Sequence, residues 1–342
     1  MRVVAAFART GRRAFVAWLA AFCLLATDSA VAASLRLLAN EPTQYDFADI
    51  AHLPPTFGRG EFTFELWIRP DDNFPVGPVW RAGYNQLSNW SESDPEPYGS
   101  AGWWLAGNWL LDGHSRPEGF MAGDSREGTF SLQFYGGGRL RWMFADAGQG
   151  LPPGNVWAVQ AWPATDAPSL LDGRWHHVAL VRRWREPGGA RLELWIDGGL
   201  VATTDIPGRV DMRRWWDQPA HPADPAELGG WALGAEVMTA WNYAFTQYED
   251  YKGWVDEIRF WDRAMPAAEI AAHWREAVPA EAPGLVGRYG FGEGRGTRVD
   301  DALDPRRPMR LHRARGQSWS RENAPMAPAD PARFGAAPAP AG

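Results

Sequence analysis

The sequence predicts an all-β fold, a sandwich or barrel carrying one short helix. Three observations point there: many short runs of alternating apolar and polar side chains, Gly/Pro/Asp punctuation between them, and almost no helical period. Ser34–Leu38 and Tyr45–Ile50 come first. In Phe62–Arg69, Phe62, Phe64, Leu66 and Ile68 oppose Thr63, Glu65, Trp67 and Arg69, and Pro70-Asp71-Asp72 ends the run. Thr129–Tyr135 and Leu140–Phe144 flank Gly136-Gly137-Gly138, a hairpin turn rather than a phosphate loop because no helix follows it. Trp175–Arg183 sets His176, Val178, Leu180 and Arg182 against Trp175, His177, Ala179, Val181 and Arg183. Glu186-Pro187-Gly188-Gly189 breaks the pattern, and Arg191–Asp197 resumes it with Leu192, Leu194 and Ile196 on one face. Asp197-Gly198-Gly199 predicts a tight hairpin, because its left-handed φ values match the strand twist, and Leu200–Thr204 returns. Gly230–Gly234 and Trp254–Asp262 complete the strands. One helix is expected from Pro266 to about Trp274, with Pro at its first position and Ile270 and Trp274 on one face. Met265 at its N-cap brings no side-chain acceptor.

Residues 1–33 read as a secretory signal peptide. Arg2, Arg9, Arg12 and Arg13 precede the apolar run Ala14–Ala26, which is short for a membrane span, and Ala30-Val31-Ala32 or Val31-Ala32-Ala33 offers a cleavage site. Cys23, the one cysteine, lies within this segment, so the exported chain is expected to hold no disulfide. Without residues 1–33 the formal charge falls from −7 to −10, and Lys252 is the one lysine among many arginines. An acidic chain without a basic stripe argues against nucleic acid and anionic membranes as partners, and no later segment is apolar enough to span a bilayer. The expected organisation is a signal peptide over 1–33, a sandwich domain over 34–278, extra strands over 279–322 and a disordered Pro/Ala tail over 323–342. Three connections are long for a compact domain: Asp71 to Gly128, Ala145 to Leu171 and Asp205 to Gly229.

Three segments, in this order, carry a family resemblance. They are Phe62-Thr63-Phe64-Glu65-Leu66-Trp67-Ile68-Arg69-Pro70, then Gly173–Ala179 with Leu192–Val201, then Lys252-Gly253-Trp254-Val255-Asp256-Glu257-Ile258-Arg259-Phe260-Trp261 running on through Met265 to Ile270. Together they resemble the LamG-like jelly roll of the concanavalin A-like lectin/glucanase superfamily. The resemblance covers Ser34 to Ala277 without the long loops. It implies two stacked antiparallel sheets, and a scaffold that in some members binds glycans, in some cleaves them and in others mediates protein contacts. Leu285–Phe291 with Gly292–Thr297 is similar to the opening of a second such domain, too short to complete one.

Tryptophan is the conspicuous residue, with 21 copies. An indole can stack on the C–H face of a sugar, or simply fill a core. Trp67, Trp175, Trp195, Trp254 and Trp261 sit in strands and read as packing. Trp103, Trp104 and Trp109 on a Gly-rich insertion, Trp215 and Trp216, and Trp241 with Tyr243 read as loop-borne candidates for ligand contact. Glycosidases need paired carboxylates. Glu193 and Asp197 lie too far apart along one strand and read as a solvated position and a turn former; Asp256 and Glu257, being adjacent, should face opposite ways; and the glucanase branch's Glu-x-Asp-x-x-Glu run is absent. His176 and His177 also face opposite ways and cannot share an ion. No cofactor is expected, with calcium on Asp71, Asp72, Asp94, Asp250 or Asp256 as a softer possibility without cage spacing. The reading is an exported, non-catalytic carbohydrate-binding or adhesion module. The alternatives are a polysaccharide hydrolase or lyase, and a protein–protein interaction module.

Overall fold

The computed structural model describes residues 33–37, 47–50, 52–71, 108–113, 129–135, 138–145, 157–159, 169–209, 231–234, 251–312 and 319–329. In chain order these form β1 (Ser34–Leu37), β2 (Phe47–Ile50), β3 (Phe62–Pro70), β4 (Asn108–Asp112), β5 (Thr129–Tyr135), β6 (Arg139–Ala145), β7 (Trp157–Val159), β8 (His176–Arg185), β9 (Gly189–Ile196) and β10 (Gly199–Ile206). Then follow β11 (Trp231–Leu233), β12 (Gly253–Trp261), α1 (Ala267–His273), β13 (Leu285–Tyr289), β14 (Arg298–Val299), β15 (Met309–His312) and β16 (Trp319–Ser320). They build two antiparallel sheets: β10-β9-β8-β3-β12-β1-β16, with β13 beside the end of β12, and β14-β15-β2-β11-β4-β5-β6-β7. This is a two-sheet jelly-roll sandwich.

Alternation decides which faces meet. Phe62, Phe64, Leu66 and Ile68 of β3 and Val178 and Leu180 of β8 point into the same buried cluster as Phe130, Leu132 and Phe134 of β5. Aromatic rings cross the interface. Trp231 lies flat on Phe130, with centroids 4.3 Å apart and planes at 15°, and meets Phe64 edge-on at 5.5 Å. The β9–β10 hairpin turns through Asp197 (φ 50) and Gly198 (φ 76), the pair of left-handed residues that the short turn requires.

The outer face of the first sheet is closed by α1 and the C-terminal segments. Ile270, Met265, Val278, Ala282 and Leu285 pack there on Ala179, Val181, Trp195 and Trp261. Pro266 occupies the N-cap with no side-chain hydrogen bond, while the Met265 N–H donates to Thr63 Oγ1 at 2.9 Å. Beneath this cover lies a buried polar network. Glu65 accepts from Trp261 Nε1 at 2.7 Å and lies 3.3 Å from His177 Nε2, and Arg259 binds Glu257 at 3.2 Å.

Several expectations need correcting. The long connections contain β4 and β7. Glu193 is buried rather than solvated, because Arg183 and the Trp195 indole close over it. Asp256 and Glu257 do not face opposite ways. A register shift at Glu257, whose φ is 46, turns both carboxylates to the outer face, where Asp256 accepts the N–H of Glu257 and of Ala324 and Glu257 is held by Arg259 and Arg288. The Pro/Ala tail begins too early: residues 323–329 are held, with Ala327 bridged to Glu276 and Ala324 buried. Few apolar groups anchor this segment. Its backbone is instead fixed by the buried Asp256 carboxylate and by the Arg275 carbonyl, which accepts from the Ala327 N–H at 2.7 Å.

Candidate functional site

The outer face of the second sheet is polar, and strand register builds it. Ala48 and Ile50 of β2 enter the core, so Asp49 between them faces out. In β5, Phe130, Leu132 and Phe134 enter the core and leave Ser131 and Gln133 outside. A bulge between Trp109 and Leu111 sends Leu110 and Leu111 inward together and returns Trp109 and Asp112 to the outer face. One row then runs across Arg310, Asp49, Ala232, Asp112 and Ser131. A parallel row carries Trp109, Gln133 and Arg141.

These side chains are out of water. Asp49, Asp112, Ser131, Gln133, Arg141 and Trp109 are all buried. Arg141 Nη2 donates to Gln133 Oε1 at 2.6 Å. His312 Nε2 meets Asp49 Oδ2 at 2.6 Å, and the His312 ring stacks on Phe47 at 4.5 Å. Asp49 Oδ1 and Ser131 Oγ make no hydrogen bond among the described residues. Buried polar atoms nearly always have a partner, so two orphans in one row mark it as unusual.

The other outer face spends its charges on itself. Burial opposes ionisation of Glu65, but His177 and Arg259 hold its carboxyl below the usual range. Burial lifts the Asp256 carboxyl to about 7, and the neighbouring Glu257 charge adds to the effect. At the sheet's end, His176 is clamped between Asp197 (2.8 Å) and Asp172 (2.9 Å); burial works against its proton, but the two carboxylates raise its pKa.

Of the sequence-selected aromatics, Trp103, Trp104, Trp215, Trp216, Trp241 and Tyr243 lie outside the described residues. Trp109 is not loop-borne. It belongs to β4 and is wholly buried, because the run Asn108–Asp112 pairs with β5, so its ring offers no open platform. His176 and His177 point to separate environments, and among the described residues no group of three or more His, Cys, Asp or Glu could hold a metal ion. Asp71 faces Arg36 and Lys252, and Asp256 accepts two backbone N–H groups; Asp72, Asp94 and Asp250 lie outside the described residues. Asp49, Asp112, Ser131, Gln133 and Arg141 were not singled out from sequence. The alternation of Ser131 and Gln133 with Phe130, Leu132 and Phe134 was the signal that could have found two of them.

Comparison with known proteins follows the same line. Residues 111–271 match the family model described as the concanavalin A-like lectin/glucanases superfamily. Comparison with the curated proteins finds no match in sequence. Among solved structures, the chain is similar to a Bacteroides ovatus protein proposed to bind carbohydrate (17% identity, TM-score 0.45, 82% of this chain and 57% of that one). It is also similar to the SAP-like pentraxin of Limulus polyphemus (13%, 0.37, 71% and 82%) and to domains LG4-5 of the mouse laminin α1 chain (13%, 0.36, 69% and 44%). The chain thus spans little more than half the length of the Bacteroides protein. Among the described residues the chain forms two antiparallel sheets with one helix after the last long strand, a jelly-roll sandwich whose residues 111–271 are similar to the concanavalin A-like lectin/glucanase superfamily.

Proposed function

We propose that this is an exported glycan-binding module that acts without chemistry, through the outer face of the second sheet. The observation that carries the reading is the polar row itself. Among the described residues Asp49 Oδ1 and Ser131 Oγ are buried and without a hydrogen bond, on the face that also holds Asp112, Gln133, Arg141 and Trp109. A polyhydroxylated ligand supplies donors and acceptors to such groups. Trp103 and Trp104, a few residues before β4 in the chain, and Trp215, Trp216, Trp241 and Tyr243 are the aromatic side chains proposed to contact the ligand. Export rests on the character of residues 1–33; among the described residues no helix is long and apolar enough to cross a membrane.

The test is a set of binding isotherms against a panel of neutral glycans. Wild type is compared with Ser131→Ala/Gln133→Ala and with Trp103→Ala/Trp104→Ala. Each double variant is expected to lose about tenfold in affinity or more, by removal of buried hydrogen bonds or of ring stacking. Isotherms unchanged in both variants end the proposal.

A second reading is favoured by one feature. Asp49 and Asp112 flank Ala232 on the same row, two strand spacings apart, which is about 9.6 Å between backbones. Inverting glycosidases set their carboxyls about 6.5–9.5 Å apart. Release of reducing sugar from a polysaccharide, abolished by Asp112→Asn, would replace binding with hydrolysis at the same face.

A further inference from the structure

One strand of the polar face comes from outside the stretch that matches the family. Residues 111–271 carry the match, whereas β15 (Met309–His312) follows α1 and pairs with β2. Alternation fixes what β15 adds to the face. Met309 and Leu311 enter the core, so Arg310 and His312 face outward, opposite Asp49 and Phe47 of β2. His312 is thus the diagonal neighbour of Asp49, a spacing that a long side chain can bridge.

The bridge is made. His312 Nε2 lies 2.6 Å from Asp49 Oδ2, and the imidazole lies flat on Phe47, with centroids 4.5 Å apart and planes at 9°. A carboxylate oxygen at that distance places the imidazole proton on Nε2, and the stacked ring keeps that N–H in one direction. Asp49 is therefore gripped by one oxygen only. Its other oxygen, Oδ1, is buried and accepts no hydrogen bond among the described residues, and the side chain is 2% exposed. A carboxylate can only accept, so the partner that Oδ1 lacks must bring a hydrogen. A sugar hydroxyl does so. Next to Asp49 in the row stands Ala232, a single methyl, and beyond it Asp112.

We propose that Asp49 Oδ1 accepts a hydroxyl of the ligand and that His312 is the positioning residue that holds it for that purpose, a role that rests on the glycan-binding reading of this face. His312 acts through Asp49. Without the Nε2–H the carboxylate is free to rotate, and the row loses an acceptor of fixed direction. The strand that follows the helix then does more than extend the second sheet; it completes the binding face.

Calorimetric titration of the full chain, with the neutral glycan that binds it best, tests this. Asp49→Ala should weaken binding about tenfold or more, and His312→Leu about three- to tenfold. His312→Gln, whose amide offers an N–H to Oδ2, should stay within about threefold of wild type. Because His312 acts through Asp49, adding His312→Leu to Asp49→Ala should bring no further loss. The O-methylated form of the same glycan should bind about tenfold more weakly or worse, since it has no hydrogen to give. Additive losses in the double variant, equal losses for His312→Leu and His312→Gln, or undiminished binding of the methylated glycan each overturn the assignment. Should His312→Leu fail to fold, nitrogen NMR of the wild-type imidazole decides: the His312 signals must move when glycan is added, and unmoved signals reject it. Wild type that binds no neutral glycan removes the glycan reading and the role of His312 together. Wild type that binds, and is weakened by Ser131→Ala/Gln133→Ala but not by His312→Leu, removes the role of His312 alone.

Discussion

Replacing Glu65 by alanine is expected to destabilise the fold by about 3–5 kcal/mol, because it breaks a buried charge network by removing one partner. Glu65 is 3% exposed and Arg259 is 1% exposed. The carboxylate accepts from Trp261 Nε1 at 2.7 Å, lies 3.3 Å from His177 Nε2 and 3.9 Å from Arg259 Nη1. Leaving the buried indole N–H unpaired accounts for about 1–3 kcal/mol. The rest comes from Arg259 and is limited, because Arg259 keeps Glu257 at 3.2 Å and the Glu276 carbonyl at 3.0 Å. Glu65→Gln keeps the size and an acceptor for Trp261, so it should cost only about 1–2 kcal/mol. The Glu65 pKa is lowered in the folded state, so its charge contributes stability above its unfolded value of 4.5 that is lost as pH falls through the folded value. The gap between wild type and Glu65→Gln should therefore narrow in acid. Equilibrium urea unfolding followed by circular dichroism at neutral pH and in acid measures all of this. Equal losses for Glu65→Ala and Glu65→Gln, or a loss under about 1 kcal/mol for alanine, would refute the reasoning.

The clamp on His176 predicts a second pH effect. Its raised pKa gives stability fully present below 6.5 and lost as pH rises through the folded value, while the lowered pKa of Asp172, at about 2, and of Asp197 gives stability lost as pH falls below 3.8. Melting temperatures of wild type and His176→Asn should therefore differ most between those limits and converge in alkali; a constant difference speaks against the clamp. Asp256 acts in the opposite sense. Its raised pKa means that the folded protein takes up a proton, so this group's contribution falls as pH rises from 3.8 to about 7, and Asp256→Asn should flatten that slope in stability measurements. Trp231→Ala removes the ring stacked on Phe130 in the core and should cost about 3–5 kcal/mol in urea unfolding. Gly198→Ala forces a side chain to φ 76 with its Cβ 2.5 Å from Trp274 Cδ1, and should cost about 1 kcal/mol or more by the same assay.

Where alternation is strict, the sequence was readable. Phe62–Arg69 and the Asp197-Gly198 turn are local signals, and the structure places both as the pattern requires. β4 escaped because its bulge sets Leu110 and Leu111 side by side facing inward, which erases the period of two. The Asp256–Glu257 bulge misled in the same way. The burial of Glu193 depends on Arg183 and on Met265 after β12, a contact made by residues distant in sequence. The polar row was half visible. Ser131 and Gln133 alternate plainly, but only the order β2-β11-β4-β5-β6 brings Asp49, Asp112 and Arg141 beside them.

The placement of the N-terminal strands bears on the order of folding. β1 is seated between β12 and β16, and β2 between β11 and β15, so neither has a neighbour in the sheet that is near it in sequence. Such pairings close very long loops, and loop closure of that kind slows folding. β1 and β2 must wait for partners that are synthesised about two hundred residues later or more. Until the segment after Val278 arrives, β2 lacks β15, β1 lacks β16 and the end of β12 lacks β13. A chain cut there presents open strand edges, the condition under which β-proteins associate rather than fold.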